Sequence, residues 1–527
     1  DNSIFFVEIA RLFTFLVEAP QKRQQLSSMS SNIPVVQGTI VQGTTPVESS
    51  QPYVAAGEGT PAAAAGGGHD DYNNYGYSGQ QQGSSGFVNG EYGSDFNGVK
   101  GEKQPKKYKD GFFAILFVAH LFVMMVVLSM YSSGSENAAS HGGIIYCVAM
   151  CGVFAIGLAT VALGVMMQFA KELVKISLVF SVVSSLGVAL IGFAAGQLMM
   201  GVLGLLGFGF GICYAYMVWK RIPFAAANLN TGLTAVKANL GLAVVAYIFL
   251  AMAFAWSIWW SMAAGNAFAS VGTTIVFLFL VSYYWTHQVL QNTVHVTVAG
   301  VVGTWWFAPE EASSFWSTSL NESFVRSTTY SFGSICLGSL LVAIVQALRQ
   351  LHHMLRDNEE FNFLVCIVDC ILGCIESILE YLNKWAYIYV GLYGYSYLEA
   401  GSNVITLFQN KGWTTIITDD LVDNVLFLVS LVIGLITGLV GLILGSIDAN
   451  MFAGEGFEDA KLAGFILGLF VGFLLSSILM SVVGSAVNTV IVCYAESPAE
   501  FQQNHPQLSG EMREAWIQAW PAECSHL

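Results

Sequence analysis

The chain has 527 residues, of which 54% are apolar and only 10% charged, with a formal net charge of −15 and a mean hydropathy of +0.60. Soluble domains carry about 25% charged residues, so the usual water-facing surface is missing. The acid excess and the lack of a basic stripe exclude nucleic acid as a partner and leave the lipid bilayer as the medium.

The first residues do not read as a secretory signal, because Glu8 and Arg11 interrupt the Ile4 to Val17 stretch. Met29 reads as the native start, which makes residues 1–28 an extension ahead of it. From Met29 to about Gly98 the chain is Gly, Ser, Gln, Asn, Tyr and Ala without hydrophobic period. Such a composition cannot bury a core, so 29–110 is predicted to be a disordered cytosolic tail.

A membrane-spanning helix needs about 20 mostly apolar residues, at about 1.5 Å of rise each. Gly111 to Ser135, Ile176 to Trp219, Ala238 to Pro309 and Leu462 to Ala495 hold no Asp, Glu, Lys or Arg. The prediction is an all-α polytopic membrane protein of about ten transmembrane helices over 111–494, with a cytosolic C-terminal tail over 495–527.

Lys100, Lys103, Lys106, Lys107 and Lys109 stand just before the first span, Gly111 to Tyr131, and the positive-inside rule puts them in the cytosol. A short Ser132 to Gly142 turn faces outside, and span two (Gly143 to Phe169) returns to Lys171 and Lys175. Spans three and four (Ile176 to Ala195, Leu198 to Trp219) form a hairpin through Gly196 and end at Lys220 and Arg221. Span five (Ala238 to Trp260) leads through a Ser261 to Gly265 turn to span six (Asn266 to Gln288). Near the C-terminus, Val425 to Ile447 leaves the cytosol and Leu462 to Cys493 returns. The outside loop between them carries Asp448, Glu455, Glu458 and Asp459.

The middle allows two topologies. Tyr330 to Leu348 is a span, and Arg349 and Arg356 after it suggest that it ends in the cytosol. In that topology Leu290 to Phe307 crosses outward, and Lys384 to Gly401 is re-entrant. In the other, Leu290 to Phe307 stays on the cytosolic side and the segment 371–398 crosses. Loop charges favour the first. It also places the sequon at Asn321 (Asn321-Glu322-Ser323) outside, open to glycosylation.

Gly434 with Gly438, Gly441 with Gly445, and Gly464, Gly468 and Gly472 recur every four residues, which lets helix backbones approach closely in lipid. The Gly201 to Gly211 run either packs likewise or breaks its span, as at transporter binding sites. Cys147, Cys151, Cys213, Cys336 and Cys493 lie in apolar segments and read as small hydrophobes. Cys366, Cys370 and Cys374 share a helix face, which reads as packed, since no His lies nearby in sequence to complete a zinc site.

No enzyme constellation is present: no GxSxG elbow, no HExxH, no paired intramembrane carboxylates and no phosphate loop, and no cofactor is implied. What stands out is aromatic. Trp385, Tyr389, Tyr393 and Tyr397 fall at i, i+4, i+8 and i+12, with Tyr387 and Tyr395 beside them and Glu399 at the end. Such a wall suits a quaternary ammonium ion, which carries charge but donates no strong hydrogen bond. In that case Tyr→Phe changes would be nearly silent. The competing reading is helix packing or an interfacial belt. A second group is Tyr283, Tyr284, Trp285, His287 and His295; intramembrane ionisable residues are functional candidates, although a His satisfied by backbone is the commoner case. His120 has the same standing.

Three blocks carry a family resemblance: TYSFGSICLGSLLVAIVQALR (Thr329 to Arg349), NKWAYIYVGLYGYSYLEAGSNVITLF (Asn383 to Phe408) and VNTVIVCYAESPAEFQQNHPQL (Val487 to Leu508). Together, within Lys106 to Trp516, they resemble the choline transporter-like family, nearest its fungal and algal branch named after a "pH nine sensitive" protein. The resemblance implies ten spans, cytosolic termini, plasma-membrane or organelle residence, and movement of choline or a related organic cation. Animal members have a long glycosylated loop after the first span, whereas Ser132 to Gly142 is short, so the transporter fold is better supported than the substrate. A carrier working by alternating access is the leading expectation. A membrane-embedded lipid-handling protein or a non-transporting scaffold or sensor is the alternative.

Overall fold

The computed structural model describes residues 106–132, 142–267, 271–356, 363–411, 421–448, 451–452, 459–521 and 524. Residues 1–105, most of the first outside turn, and Glu455 and Glu458 lie outside the described residues. Every regular element among the described residues is helical. In lipid that is what the backbone requires, since a helix satisfies its own amides and carbonyls.

α1 (Gly111–Ser132) matches the first expected span. α2 (Gly142–Ala194) runs through both of the next two, and inside it only Phe169 (φ −122°, ψ 26°) leaves helical geometry. The second expected span thus ends where the sequence put it, at Phe169, and the two expected spans are two helical arms joined by a kink there, with Lys171 and Lys175 in the first turns of the second arm. α3 (Leu198–Val218) turns back through Gly196 at φ +72°, a left-handed position that suits glycine. A Cβ on Gly192 would lie 2.5 Å from the Gly201 amide, and one on Gly204 2.5 Å from the Ala189 amide. The glycine run thus packs the hairpin and does not break α3.

After a 3₁₀ turn at Trp219–Arg221, α4 (Ile222–Ala238) buries Phe224, Leu229, Leu233 and Val236, an element the charge pattern did not announce. α5 (Gly241–Ala267) continues through the turn expected at Ser261 to Gly265, so the reversal comes after Ala267. α6 (Thr273–Phe307) is one helix of 35 residues, about 52 Å long. That overturns the first topology. A helix with no reversal cannot return to the cytosol at Gln288 and cross outward again over Leu290 to Phe307.

A 3₁₀ turn (Pro309–Ala312) leads to α7 (Thr318–Thr328), capped where the Leu320 amide donates to Ser317 Oγ at 3.1 Å. α8 (Phe332–Arg356) and α9 (Phe363–Tyr393) follow. The segment expected to be re-entrant is instead the last turns of α9, a break at Gly394 (φ +66°), and α10 (Tyr397–Lys411). α11 (Leu421–Ile447) and α12 (Ala460–Glu496) make the most extensive helix–helix contact among the described residues. A Cβ on Gly441 would collide with the Gly464 carbonyl, and one on Gly445 with the Ala460 carbonyl, so the small-residue spacing does what it promised. α13 (Pro498–Asn504) and α14 (Pro506–Ala519) end the chain.

Among the described residues six helical stretches are long and apolar enough to cross a bilayer. α6 and α9 are long but too polar to be among them. Cys147 and Cys151 are buried with Phe452, Ala463 and Val471, as small hydrophobes should be. Cys370 and Cys374 are exposed, which corrects the packed-face reading.

The helix ends sort into two groups. At one end the Lys109 amide donates to Tyr330 (3.0 Å), the Gly241 amide to Phe315 (2.8 Å), and Asn504 to the Trp306 carbonyl (2.9 Å). These bonds gather the start of α1, the start of α8, the end of α6 and the C-terminal helices. At the other end the start of α2 meets Met451, beside the close approach of α11 and α12.

Candidate functional site

Polar side chains recur at helical spacing on three neighbouring helices. α6 contributes Gln288 and Asn292, α8 contributes Ser339, Gln346 and Arg349, and α9 contributes Glu376, Glu380, Asn383 and Tyr387. Each set lies on one face of its helix, and the faces meet. Asn292 donates to Ser339 Oγ (3.0 Å) and to Gln288 Oε1 (3.3 Å), and Gln288 donates to Gln346 (3.3 Å). Gln346 donates in turn to Glu380 (3.4 Å). The Tyr387 hydroxyl lies 3.3 Å from Ser339 Oγ and donates to the Ile335 carbonyl (3.1 Å).

The chain of polar groups continues to both ends of α8. Towards its C-terminus Arg349 Nη1 bonds Glu376 (2.8 Å), and His352 Nδ1 lies 2.9 Å from Asp369. Towards its N-terminus Tyr397 donates to Asn383 (2.6 Å), whose amide donates to the Gly338 carbonyl (3.2 Å). The Asp110 carboxylate then accepts from Ser334 Oγ (2.7 Å) and from the Tyr397 amide (2.8 Å). Asp110 sits at φ +49°, a region Asp tolerates better than most residues, and fixes the starts of α1, α8 and α10 together. From Ser334 to His352 the seam covers about 27 Å of α8, close to the thickness of a hydrocarbon core.

Gln288, Gln346, Ser339, Glu376, Asn383 and Tyr387 are all buried. Burying such groups is costly unless each finds a partner, and the partners here are mostly one another. Among the described residues the seam holds the carboxylates of Asp369, Glu376 and Glu380, with Arg349 on Glu376, His352 and His353 beside Asp369, and Gln346 on Glu380. Among the described residues no group of His, Cys, Asp and Glu is arranged to hold a metal ion.

The aromatic residues divide. Tyr387 and Tyr397 belong to the seam, with ring centroids 5.9 Å apart. Tyr389 and Tyr393 turn the other way, and both hydroxyls donate to Glu496 at the end of α12. Tyr395 packs on both rings, 6.3 Å and 5.6 Å away. Trp385 meets Phe408 edge-on at 5.1 Å, and its buried indole N–H has no partner. The single wall through Tyr397 is therefore corrected, because the break at Gly394 separates Tyr397 from the helix carrying the other three. Glu399 does not close it either; it pairs with Lys109 at 3.5 Å.

The second group also spreads over several interfaces. Trp285 donates to the Cys336 carbonyl (3.0 Å) and stacks beside His120 (4.9 Å), whose Nε2 lies 2.8 Å from Ser282. Tyr283 packs on Trp260 (4.7 Å) and His287 (4.5 Å), and His287 meets Ser257 at 2.8 Å. Tyr284 is buried. His295 bridges Ser485 (2.6 Å) and the Lys384 carbonyl (3.1 Å). Asn321 is exposed on α7 and accepts from Trp316 (2.9 Å).

Sequence reasoning missed the seam because it searched for charge-free runs and aromatic spacing. The signal was present: Glu376, Glu380, Asn383 and Tyr387 fall at i, i+4, i+7 and i+11, and Gln288 and Asn292 at i and i+4. Glu496 was also legible, as the first charge after the run ending at Ala495.

A helical bundle with long apolar stretches and a buried polar seam is the architecture of an integral membrane protein. Residues 203–499 match the family model described as "Plasma-membrane choline transporter", and the chain belongs to this choline transporter-like family. A CTL-like protein of Dictyostelium discoideum is 29% identical over 353 residues, 62% of each chain. Protein PNS1 of Mycosarcoma maydis is 28% identical over 408 residues, 67% of this chain and 76% of that one. Protein PNS1 of Candida albicans is 29% identical over 337 residues, 58% of this chain and 63% of its own length. The chain thus spans under two thirds of the Dictyostelium and Candida proteins. The family match contains every seam residue on α6, α8 and α9, and Glu496, but not Asp110.

Proposed function

We propose that this protein is a carrier, not an enzyme, that moves choline or a related organic cation across the plasma membrane by alternating access. The observation that carries the reading is the buried seam between α6, α8 and α9, which runs the depth of a bilayer and holds more carboxylates than guanidinium groups. Its amides and hydroxyls offer a hydrated cation substitutes for water. Tyr387 and Tyr397 add ring faces, which attract a quaternary ammonium ion by about 0.5–2 kcal/mol each. The family supports choline as the first substrate to test. Purified protein in liposomes is expected to accumulate tritiated choline saturably above protein-free vesicles. Folded protein that accumulates none would refute the carrier reading.

Counting the two arms of α2 about Phe169 as separate passes gives ten, with both termini cytosolic. Lys106, Lys107 and Lys109 before α1 support the cytosolic assignment of that end. The same end holds the Phe315 loop and the end of α6, so Ser313 and Asn321 fall in the cytosol. In a background without native cysteines, a cysteine at Ser313 is expected to resist an impermeant thiol reagent on intact cells. Asn321 is expected to carry no sugar. Labelling of the Ser313 position would restore an outside loop.

A further inference from the structure

We propose that Arg349 is a resident counter-cation that keeps Glu376 ready for the transported ammonium ion, and that substrate displaces it; this role rests on the seam being the transport path. Three features of the pair carry it. First, the two partners are unequally buried, with the Glu376 side chain 4% exposed and that of Arg349 33% exposed. The carboxylate is fixed inside the seam, and the guanidinium reaches it from the edge on a flexible stem.

Second, the pairing is incomplete. Arg and carboxylate commonly join through two parallel bonds. Here Nη1 alone bonds Glu376, and the buried Nε of Arg349 has no hydrogen-bond partner. A guanidinium held by one bond with an unmet donor gives way more readily than a bidentate one. Third, Glu380 lies one helical turn further into the seam, where it accepts from Gln346. A cation entering there meets two carboxylates on one helix face, Glu376 held by Arg349 and Glu380 bonded by Gln346.

An empty Glu376 would be an unpaired buried anion, which is strongly unfavourable. Arg349 covers it when substrate is absent. When an ammonium ion arrives, one cation replaces another, so the charge inside the seam stays constant. A neutral analogue cannot make that exchange, and cation selectivity follows.

The test is equilibrium binding of tritiated choline to the purified full-length protein, with melting temperature measured alongside. Arg349→Gln removes the competitor, and binding is expected to tighten at least fivefold; Glu376→Gln is expected to weaken it at least tenfold. Because a lone buried carboxylate can itself prevent folding, Arg349→Gln/Glu376→Gln removes the pair as a unit and is expected to bind as weakly as Glu376→Gln. Wild-type binding together with unchanged or weaker binding by folded Arg349→Gln would overturn this role alone. So would a double variant that binds like wild type. No choline binding by folded wild type would overturn the transport reading, and this role with it.

Discussion

Phe501→Ala is expected to release the C-terminal helices from the membrane domain. The Phe501 ring is fully buried and stacks on Trp306 at 3.8 Å with 8° between the planes. His505 stacks on Trp305 at 4.1 Å, and its Nε2–H donates to the Trp305 carbonyl at 3.1 Å. Burial holds the His505 imidazole below its ordinary range, so it serves as a neutral ring. Asn504 donates to the carbonyls of Trp306 (2.9 Å) and Phe307 (3.1 Å), which α6 would otherwise leave unmet at its end. Further along, Trp516 donates to Asn228 (2.8 Å), and the Arg221 guanidinium lies 4.1 Å from the Trp520 ring.

Deleting a buried Phe side chain costs about 3–5 kcal/mol. Each 1.4 kcal/mol is tenfold, so the undocked fraction of the segment should rise by about two to three and a half orders of magnitude. Hydrogen exchange over 498–519 measures this directly, and Phe501→Leu should restore part of the protection. Unchanged exchange in Phe501→Ala would mean that the stack does not hold the segment.

The second large effect is expected at the tyrosines facing Glu496. Cation–π contact alone made Tyr→Phe nearly silent, because the rings would remain. The structure puts both hydroxyls on the Glu496 carboxylate instead. A hydrogen bond to a charged group contributes about 1.5–3 kcal/mol. Glu496 is only half-buried, so the low end applies. Tyr389→Phe and Tyr393→Phe should each lower the melting temperature, and in Glu496→Gln the same changes should cost less. That coupling is what a double-mutant cycle reads. Additive losses across the cycle would show that the hydroxyls act elsewhere.

Much of the fold was legible because lipid simplifies the code. Charge-free runs gave the helices, and glycine spacing gave the α11–α12 contact and the turn at Gly196. Helix ends were harder, since they depend on where a chain stops gaining bonds and not on where charge resumes. Near Lys171 and Lys175 the chain kinks at Phe169 and resumes as helix at once, so two spans follow each other without a loop. Loop charge misled at Arg349 for a related reason. It was read as a membrane-flanking arginine, whereas it reaches back to Glu376, 27 positions along the chain.

The site was half legible. Tyr387 and Tyr397 were singled out for their rings, and both lie in the seam. Their partners Asn383 and Ser339, and Asn292 beyond Ser339, are uncharged and modest in hydropathy, so each looks unremarkable alone. Only the pairing of three helices makes them a continuous path. The tail beyond Ala495 was read as a tail because it is polar, although Phe501 and Trp516 already marked two buried anchors.

The central claim is that the seam carries the cation, and tritiated choline uptake into liposomes by matched variants tests it most directly. Asn292→Leu replaces the amide linking Ser339 to Gln288, and Glu380→Gln removes a seam charge. Thr489→Val is the comparator, being buried in α12 with its hydroxyl bonded within its own helix at 2.8 Å. With all three folded, both seam variants are expected to lower uptake about tenfold or more, as losing about 1.4 kcal/mol of binding would do. Thr489→Val is expected to stay near the wild-type rate. Seam variants that transport like wild type would contradict the account.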